Sequence, residues 1–336
     1  GAEALRGGRR RAVPRAVSEV HRSFCRFCIA LCGVTVSTDG DSVVGVTGNP
    51  EHPASRGYTC AKGRALGRWH HHPDRILDPR VRRGGEWESV AWTDALADVG
   101  TLVRRSLASA GPDSVGAYIG TAASLDAAGK WAAERFVRAV GSRSKYSAIS
   151  IDTPCKPLVS LLMSGQANLV PVVDDRRCTL AAFVGCNPVV SHGHLNGFPD
   201  PVVRLREMAT PPRELWVIDS RRTESARLAT RWLQPRPGTD FAVVAHVVRA
   251  LLVDGGADLD HLARHADETE VCLLGELLAE WTTDHTSAIT GCPVGDLDDF
   301  VSAVRRHGRL AMQTGTGATM AAVANLTEWL VWVLHV

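Results

Sequence analysis

Four cysteines constrain this chain more than any other feature: Cys25-x2-Cys28-x3-Cys32, then 27 residues, then Cys60. One short loop can present three thiols to a common centre, and a returning segment can add the fourth. Thiolates are soft ligands that suit iron–sulfur clusters or zinc. Structural zinc sites usually pair two Cys-x2-4-Cys knuckles. Here the split is three plus one, with no second knuckle beside Cys60. That spacing favours a cubane cluster and leaves zinc as the rival. With nine cysteines in 336 residues, the chain lacks the density of a secreted disulfide scaffold, and a reducing cytoplasm is the expected home.

The hairpin that would return the chain to Cys60 is legible. Val34 to Val46 reads as two apolar-alternating strands around Asp39-Gly40, where Gly can take a positive φ. From about Trp92 the texture changes. Thr93 is placed to cap a helix through Leu96, Val99, Leu102 and Leu107. Strands are expected at Val115–Ile119, Leu180–Val184 and Leu215–Ile218. Helices are expected at about Ser124–Val140, Pro201–Met208, Phe241–Leu252, Val271–Trp281 and Leu297–Arg305. Short apolar strands alternating with helices argue an α/β fold with mostly parallel sheets.

A net charge of +2 demands neither nucleic acid nor an acidic membrane as partner. Residues 1–22 hold six arginines against Glu3 and Glu19 and few large apolar groups, so they read as a flexible basic arm. Basic tails are usually just solvated, and no nucleic-acid partner is expected. Arg9-Arg10-Arg11 lacks the following apolar run of an export signal. No stretch of about 20 apolar residues exists to span a membrane. The chain starts at Gly1 and ends in the apolar run Leu330–Leu334, so both ends look cut.

Three further units carry ligand chemistry. Gly185-Cys186-Asn187-Pro188 follows a strand, where glycine admits a ligand close to the backbone and Asn offers donor and acceptor. Asp219 also follows a strand and can take a ribose or base edge, while Arg221 or Arg222 can pair with phosphate. Arg236-Pro237-Gly238-Thr239-Asp240 opens a helix that Thr239 or Asp240 would cap in the plain structural reading. Among other features, His70-His71-His72 point in different directions in regular structure and make an awkward metal site. His192 and His194 flank Gly193 in a loop after the second strand, near any ligand held there. No Ser-His-Asp set or phosphate-cradling loop is present.

Together, Cys25-Arg-Phe-Cys28-Ile-Ala-Leu-Cys32-Gly33, Gly48-Asn49-Pro50-Glu51-His52-Pro53 and Gly57-Tyr58-Thr59-Cys60-Ala61-Lys62-Gly63 resemble the start of the molybdopterin oxidoreductases. His72–Leu77 resembles the segment that follows in their formate dehydrogenase-like branch. The resemblance implies a [4Fe–4S] cluster on Cys25, Cys28, Cys32 and Cys60, with Lys62 mediating electron transfer between cluster and pterin. It implies a bis-molybdopterin guanine dinucleotide carrying molybdenum or tungsten, contacted by Gly185, Asn187, Asp219, Arg222, Gly238 and Asp240. It makes Cys155, in Thr153-Pro154-Cys155-Lys156-Pro157, the metal ligand. The alternative for Cys155 is a buried small hydrophobe, the plain reading for Cys178, Cys272 and Cys292.

Two departures stand out. Formate dehydrogenases carry His directly after the metal ligand where this chain has Lys156, and a substrate-site Arg where an ungapped match gives Ala321. Lys156 would then hold an anionic substrate. The resulting expectation is a cluster domain over about 20–78, a partial α/β domain over 79–150, and an incomplete α/β dinucleotide-binding domain over 151–336. The implied function is a catalytic-subunit fragment that oxidises or reduces a small molecule and exchanges electrons with a partner protein or subunit. The competing expectation is a non-catalytic iron–sulfur or zinc module that docks to an electron-transfer complex.

Overall fold

A computed structural model describes residues 19–167 and 169–336. Most of the expected basic arm, residues 1–18, lies outside the described residues. Its last part is not an arm: β1 (Glu19–Phe24) pairs antiparallel with β2 (Gly33–Asp39). Ladder hydrogen bonds give Glu19–Arg22 the backbone partners that an isolated basic tail lacks.

The chain divides into two compact units. One holds the described residues up to Phe27 together with Cys32–Ala97; the other holds Cys28–Leu31 and Asp98–Val336. The division between Ala97 and Asp98 falls inside a helix.

In the first unit, β2 turns through Gly40 (φ +54°) into β3 (Ser42–Gly48), giving the antiparallel order β1-β2-β3. The helices Ala61–Arg64 and Leu66–His70 follow, then the hairpin of β4 (Arg80–Arg83) and β5 (Glu86–Ser89). The buried apolar set is thin: Cys25, Cys32, Val34 and Val46. Helix Trp92–Ala110 starts one residue before Thr93, so Thr93 is in its first turn, and the Ala91 carbonyl accepts from the Asp94 and Ala95 amides.

The second unit has two parallel sheets. β6 (Ala117–Ile119) and β7 (Lys145–Ser147) pair around the helix Ala127–Val140, which Asp126 caps through the Gly129 amide at 3.1 Å. β8 (Leu180–Val184), β9 (Glu214–Ile218), β10 (Arg231–Leu233) and β11 (Ala311–Thr314) form the main sheet in the order β10-β9-β8-β11, all parallel.

Side-chain alternation in this sheet explains its continuous apolar strands. Leu180, Ala182 and Val184 of β8, with Trp216 and Ile218 of β9, enter one core. Helices Asp240–Val253, Val294–His307 and Ala324–His335 contribute to that core. Ala181, Phe183, Leu215 and Val217 enter a second core with Leu205 and Met208 of helix Pro201–Met208. A sheet covered on both faces needs apolar residues at every position, and crossover helices supply the cover.

The chain runs outward from β8 through β9 to β10, then returns to β11 on the other side of β8. The strand order therefore reverses between β8 and β11. Open α/β sheets bind ligands outside the carboxyl ends of strands at such a switch point.

Candidate cofactor and active site

The sheet brings the dispersed ligand signals to one edge. Gly185 and Asn187 follow β8, Asp219 and Arg222 follow β9, and Gly238 and Asp240 follow β10, all on carboxyl ends. Sequence reading missed the fourth loop there, Gly315-Thr316-Gly317 after β11. A Cβ on Gly185 (φ +54°) would stand 2.4 Å from the Ala318 nitrogen, and one on Gly315 would stand 2.6 Å from the Cys186 Cα. The two loops flanking the switch point thus touch backbone to backbone, a contact only glycine permits. The available signal was the Gly-x-Gly itself, since the short strand before it, Ala-Met-Gln-Thr, has no apolar run.

Several expected contact residues have internal partners. The Asn187 amide donates to Glu224 at 2.7 Å and accepts from the Ser225 hydroxyl at 2.7 Å, tying the β8 loop to the β9–β10 connection. The Arg222 guanidinium stacks 5.7 Å from the Trp232 ring centroid. Thr239 occupies the cap position of helix Asp240–Val253 without a side-chain cap, because its hydroxyl donates to the Arg236 carbonyl at 2.7 Å.

Asp240 is buried, while two residues earlier Gly238 (φ +81°) is open: a Cβ there would meet nothing within 4 Å. Burial pushes Asp240 up to about 6; hydrogen bonding in its own helix opposes this, and the Asp219 charge adds to it. Burial also raises Asp219 above its ordinary range. Two desolvated carboxylates at one sheet edge suit a ligand that donates hydrogen bonds. A carboxyl with a raised folded-state pKa stabilises the fold below its unfolded pKa and loses that contribution as pH rises through about 6. Asp240→Asn should therefore gain roughly 1–3 kcal/mol at pH 8 over the ligand-free parent protein, and little at pH 4. Thermal melts across that range check it, and a constant offset would be the wrong result.

At the end of β11 lies a second constellation. Cys155 starts helix Cys155–Ser164 and is 0% exposed. Burial raises its thiol pKa, the Glu328 charge raises it further, and the Lys156 charge opposes both. The Lys156 ammonium donates to both Glu328 oxygens at 3.2 Å and to the Thr314 hydroxyl, which itself donates to Glu328. Lys156 and Glu328 side chains are each 2% exposed. The expectation that Lys156 holds an anionic substrate meets a physical obstacle, since its charge is already compensated and enclosed.

Glu328 was not singled out from sequence. The available signal was a lone acid inside the apolar run of helix Ala324–His335, because buried carboxylates are rare unless paired. Ala321 lies in the turn before that helix.

The His192–Leu195 loop packs onto the same strand. Gln313 and Asn196 exchange two amide hydrogen bonds at 3.1 and 2.8 Å. His194 Nδ1 faces the Thr314 carbonyl at 3.4 Å. Burial and then the Lys156 charge lower the His194 pKa below its ordinary value. His70–His72 are engaged locally instead: Val43 N–H donates to His71 Nε2 at 2.9 Å, and Asp74 N–H donates to His72 Nδ1 at 3.2 Å.

In the first unit, the Cys25 amide donates to the Cys32 carbonyl at 2.8 Å, closing the cysteine loop at its base. Leu31 takes φ +44°, a left-handed conformation before Cys32. Cys60 occupies the position before helix Ala61–Arg64 without a side-chain cap, and a Cβ on Gly63 of that helix would lie 3.5 Å from the Cys25 sulfur and 2.2 Å from the Thr59 hydroxyl. Only glycine lets the Cys60 segment approach this closely. The Thr59 hydroxyl is buried without a partner, which suits a sulfur acceptor beside it. Among the described residues there is no disulfide, and no three His, Cys, Asp or Glu side chains gather as a single ion requires. Lys62 is exposed.

Family models match both regions. A molybdopterin oxidoreductase Fe4S4 domain covers residues 18–72, and a molybdopterin oxidoreductase domain covers residues 75–289. This chain belongs to the molybdopterin oxidoreductase family. Those domains indicate a [4Fe–4S] cluster and a molybdopterin carrying molybdenum or tungsten.

Among its relatives, a nitrate reductase from Symbiobacterium thermophilum is 27% identical over 304 residues, covering 87% of this chain and 39% of that one. The F420-dependent formate dehydrogenase 1 subunit alpha of Methanococcus maripaludis is 26% identical, covering 80% and 38%. The structure of acetylene hydratase from Pelobacter acetylenicus superposes with a TM-score of 0.79 at 20% identity, covering 93% of this chain and 42% of that one. At that identity the likeness speaks for the fold alone. The chain spans about two fifths of the length of these relatives. Among the described residues no helix is long and apolar enough to cross a membrane.

Proposed function

We propose that this chain belongs to the catalytic subunit of an enzyme that oxidises or reduces a small molecule and exchanges electrons with a separate carrier or subunit. Cys25, Cys28, Cys32 and Cys60 would hold the cluster, and Cys155 would ligate the metal. Gly185, Asn187, Asp219, Arg222, Gly238 and Asp240 would line the dinucleotide part of the cofactor. Lys62 would lie on the electron route between the two groups. The observation that carries this reading is the convergence of three dispersed loops and the Cys155–Lys156 turn on the carboxyl edge of one parallel sheet.

When bound, the metal centre supplies two-electron redox chemistry and the cluster passes electrons singly. The protein's share is positioning. Asp219 and Asp240 offer acceptors to the donor edge of a base such as guanine, whose N–H groups would offset their desolvation. Glu328 and Thr314 fix Lys156, and through the adjacent backbone the start of the Cys155 helix. His194, its pKa lowered by burial, lies beside them. Formate dehydrogenase-like or nitrate reductase-like chemistry is the finer reading, supported by the names of the relatives. Formate fits least well, because Lys156 replaces the His that formate dehydrogenases carry after the metal ligand and Ala321 replaces their substrate Arg.

The enclosure of Cys155 and the internal pairing of Lys156 favour a second reading, a non-catalytic electron-transfer module. Anaerobic purification of the full-length protein separates the two. The catalytic reading expects about four iron atoms, stoichiometric molybdenum or tungsten, and a fluorescent pterin on oxidation, with the metal but not the iron lost in Cys155→Ala. Iron without pterin would establish the module, and one zinc without iron would reject both.

A further inference from the structure

Beside the cysteine loop, the first unit presents an aromatic and cationic surface. Phe27, on that loop, sets its ring edge-on against Trp69 at 5.7 Å between centroids. Neither ring is buried: Phe27 is 38% exposed and Trp69 is 55% exposed. The Arg75 guanidinium lies 5.0 Å from the Trp69 centroid. Trp69, Arg75 and Ile76, with His72 and Asp74, line a shallow depression of about 410 Å³.

The chain segment leading into it is basic. From Cys60 to His72 the chain carries Lys62, Arg64 and Arg68 and no carboxylate. Arg64, Arg68 and Arg75 are exposed. On the rim, Asp74 stands 3.8 Å from His72. Exposed Trp and Phe beside Arg75, next to a basic segment, have the composition of a protein-contact surface rather than of a solvated face. Trp and Arg are the residue types that most often anchor such contacts.

We propose that this surface docks an acidic one-electron carrier protein, an inference that rests on the cluster assignment above. The arginines would steer the carrier's carboxylates into register, and the Phe27–Trp69 pair would supply the dry centre of the contact. Phe27 shares its loop with Cys25, so a carrier seated there would stand next to the cluster ligands. The exchange is balanced: the reduced carrier loses one electron, the cluster gains it, and no atom is transferred. The same contact serves the reverse direction.

The test uses full-length, anaerobically purified enzyme in a stopped-flow mixer, with cluster reduction followed by absorbance. One reductant is an acidic plant-type [2Fe–2S] ferredoxin, and the other is the small dye methyl viologen, reduced beforehand. Arg68→Glu with Arg75→Glu should lower the ferredoxin rate constant about tenfold or more at low ionic strength and flatten its salt dependence. Trp69→Ala should lower it at all salt concentrations. Arg68→Lys with Arg75→Lys should keep most of the rate. Dye reduction should stay within about twofold throughout, because a small dye needs no protein docking surface. A ferredoxin rate unchanged by charge reversal, or raised by it, overturns the proposal. A parent enzyme in which dye reduces no cluster shows instead that the cluster assignment has failed, and this proposal with it.

Discussion

Glu328→Ala should cost about 3–5 kcal/mol of stability, because it strands the Lys156 ammonium in a site that admits almost no water. Lys156 is 2% exposed and has two compensating partners, Glu328 and Thr314. Removing the carboxylate leaves one hydroxyl to hold a full positive charge. Lys156→Ala should be similarly costly, since it strands the carboxylate instead.

The double change Lys156→Met with Glu328→Leu should recover most of the loss, because similar apolar volume replaces both charges at once. Urea unfolding followed by Trp fluorescence checks all three variants. If the single changes cost under about 1 kcal/mol, the range of an exposed pair, the enclosure described here is wrong. The double variant also separates two roles. A stable double variant that still retains metal and turnover would show that Lys156 holds the fold and plays no chemical part. A stable double variant that retains the metal but has lost turnover would show that the pair is needed beyond folding.

The two halves of that pair were unequally legible in the sequence. Lys156 stood out because it follows a cysteine in a recognisable position. Glu328 lies 172 residues away and acquires meaning only when helix Ala324–His335 packs near β11. Thr314 is likewise an ordinary strand residue until the sheet order places it beneath Lys156.

The same limit governs the fold. Leu180–Val184 and Pro201–Met208 were bounded correctly because apolar run length and an initial proline are local signals. β10 and β11, at three and four residues, carry too little periodicity to be seen, yet β11 creates the switch point that organises the site. The pairing of β1 with β2 was missed for a related reason: Glu19–Arg22 read as basic and solvated, and their partners lie across the cysteine loop. The glycines around Gly185 and Gly315 were half legible. One had a neighbouring Asn-Pro to mark it, and the other needed the backbone contact to show why it cannot bear a side chain.

Cys60→Ala should remove the cluster iron and unfold most of the first unit. Among the described residues of that unit, the buried apolar side chains are Cys25, Cys32, Val34 and Val46. Four such residues fall far short of offsetting the conformational entropy of about 75 ordered residues. Small domains with so little core generally depend on a metal or another cross-link, and metal binding then becomes part of the folding free energy. Two cysteines in this unit's core would also be ligands, so losing the cluster removes the cross-link and leaves half of the buried apolar set without its anchor.

In the full-length protein, iron should fall from about four atoms per chain to background in Cys60→Ala. Amide hydrogens of β1–β3 should then exchange within seconds to minutes rather than hours. The β8–β9 ladder should keep its protection, because its two apolar cores contain none of the four candidate cluster ligands. Cys178→Ser is the control: that thiol lies near Met208 and Arg213, among no candidate ligands, and its loss should leave iron and exchange in β1–β3 unchanged. Full iron retention in Cys60→Ala would remove the fourth corner of the cage and with it the physical basis for reading this loop as a cluster site.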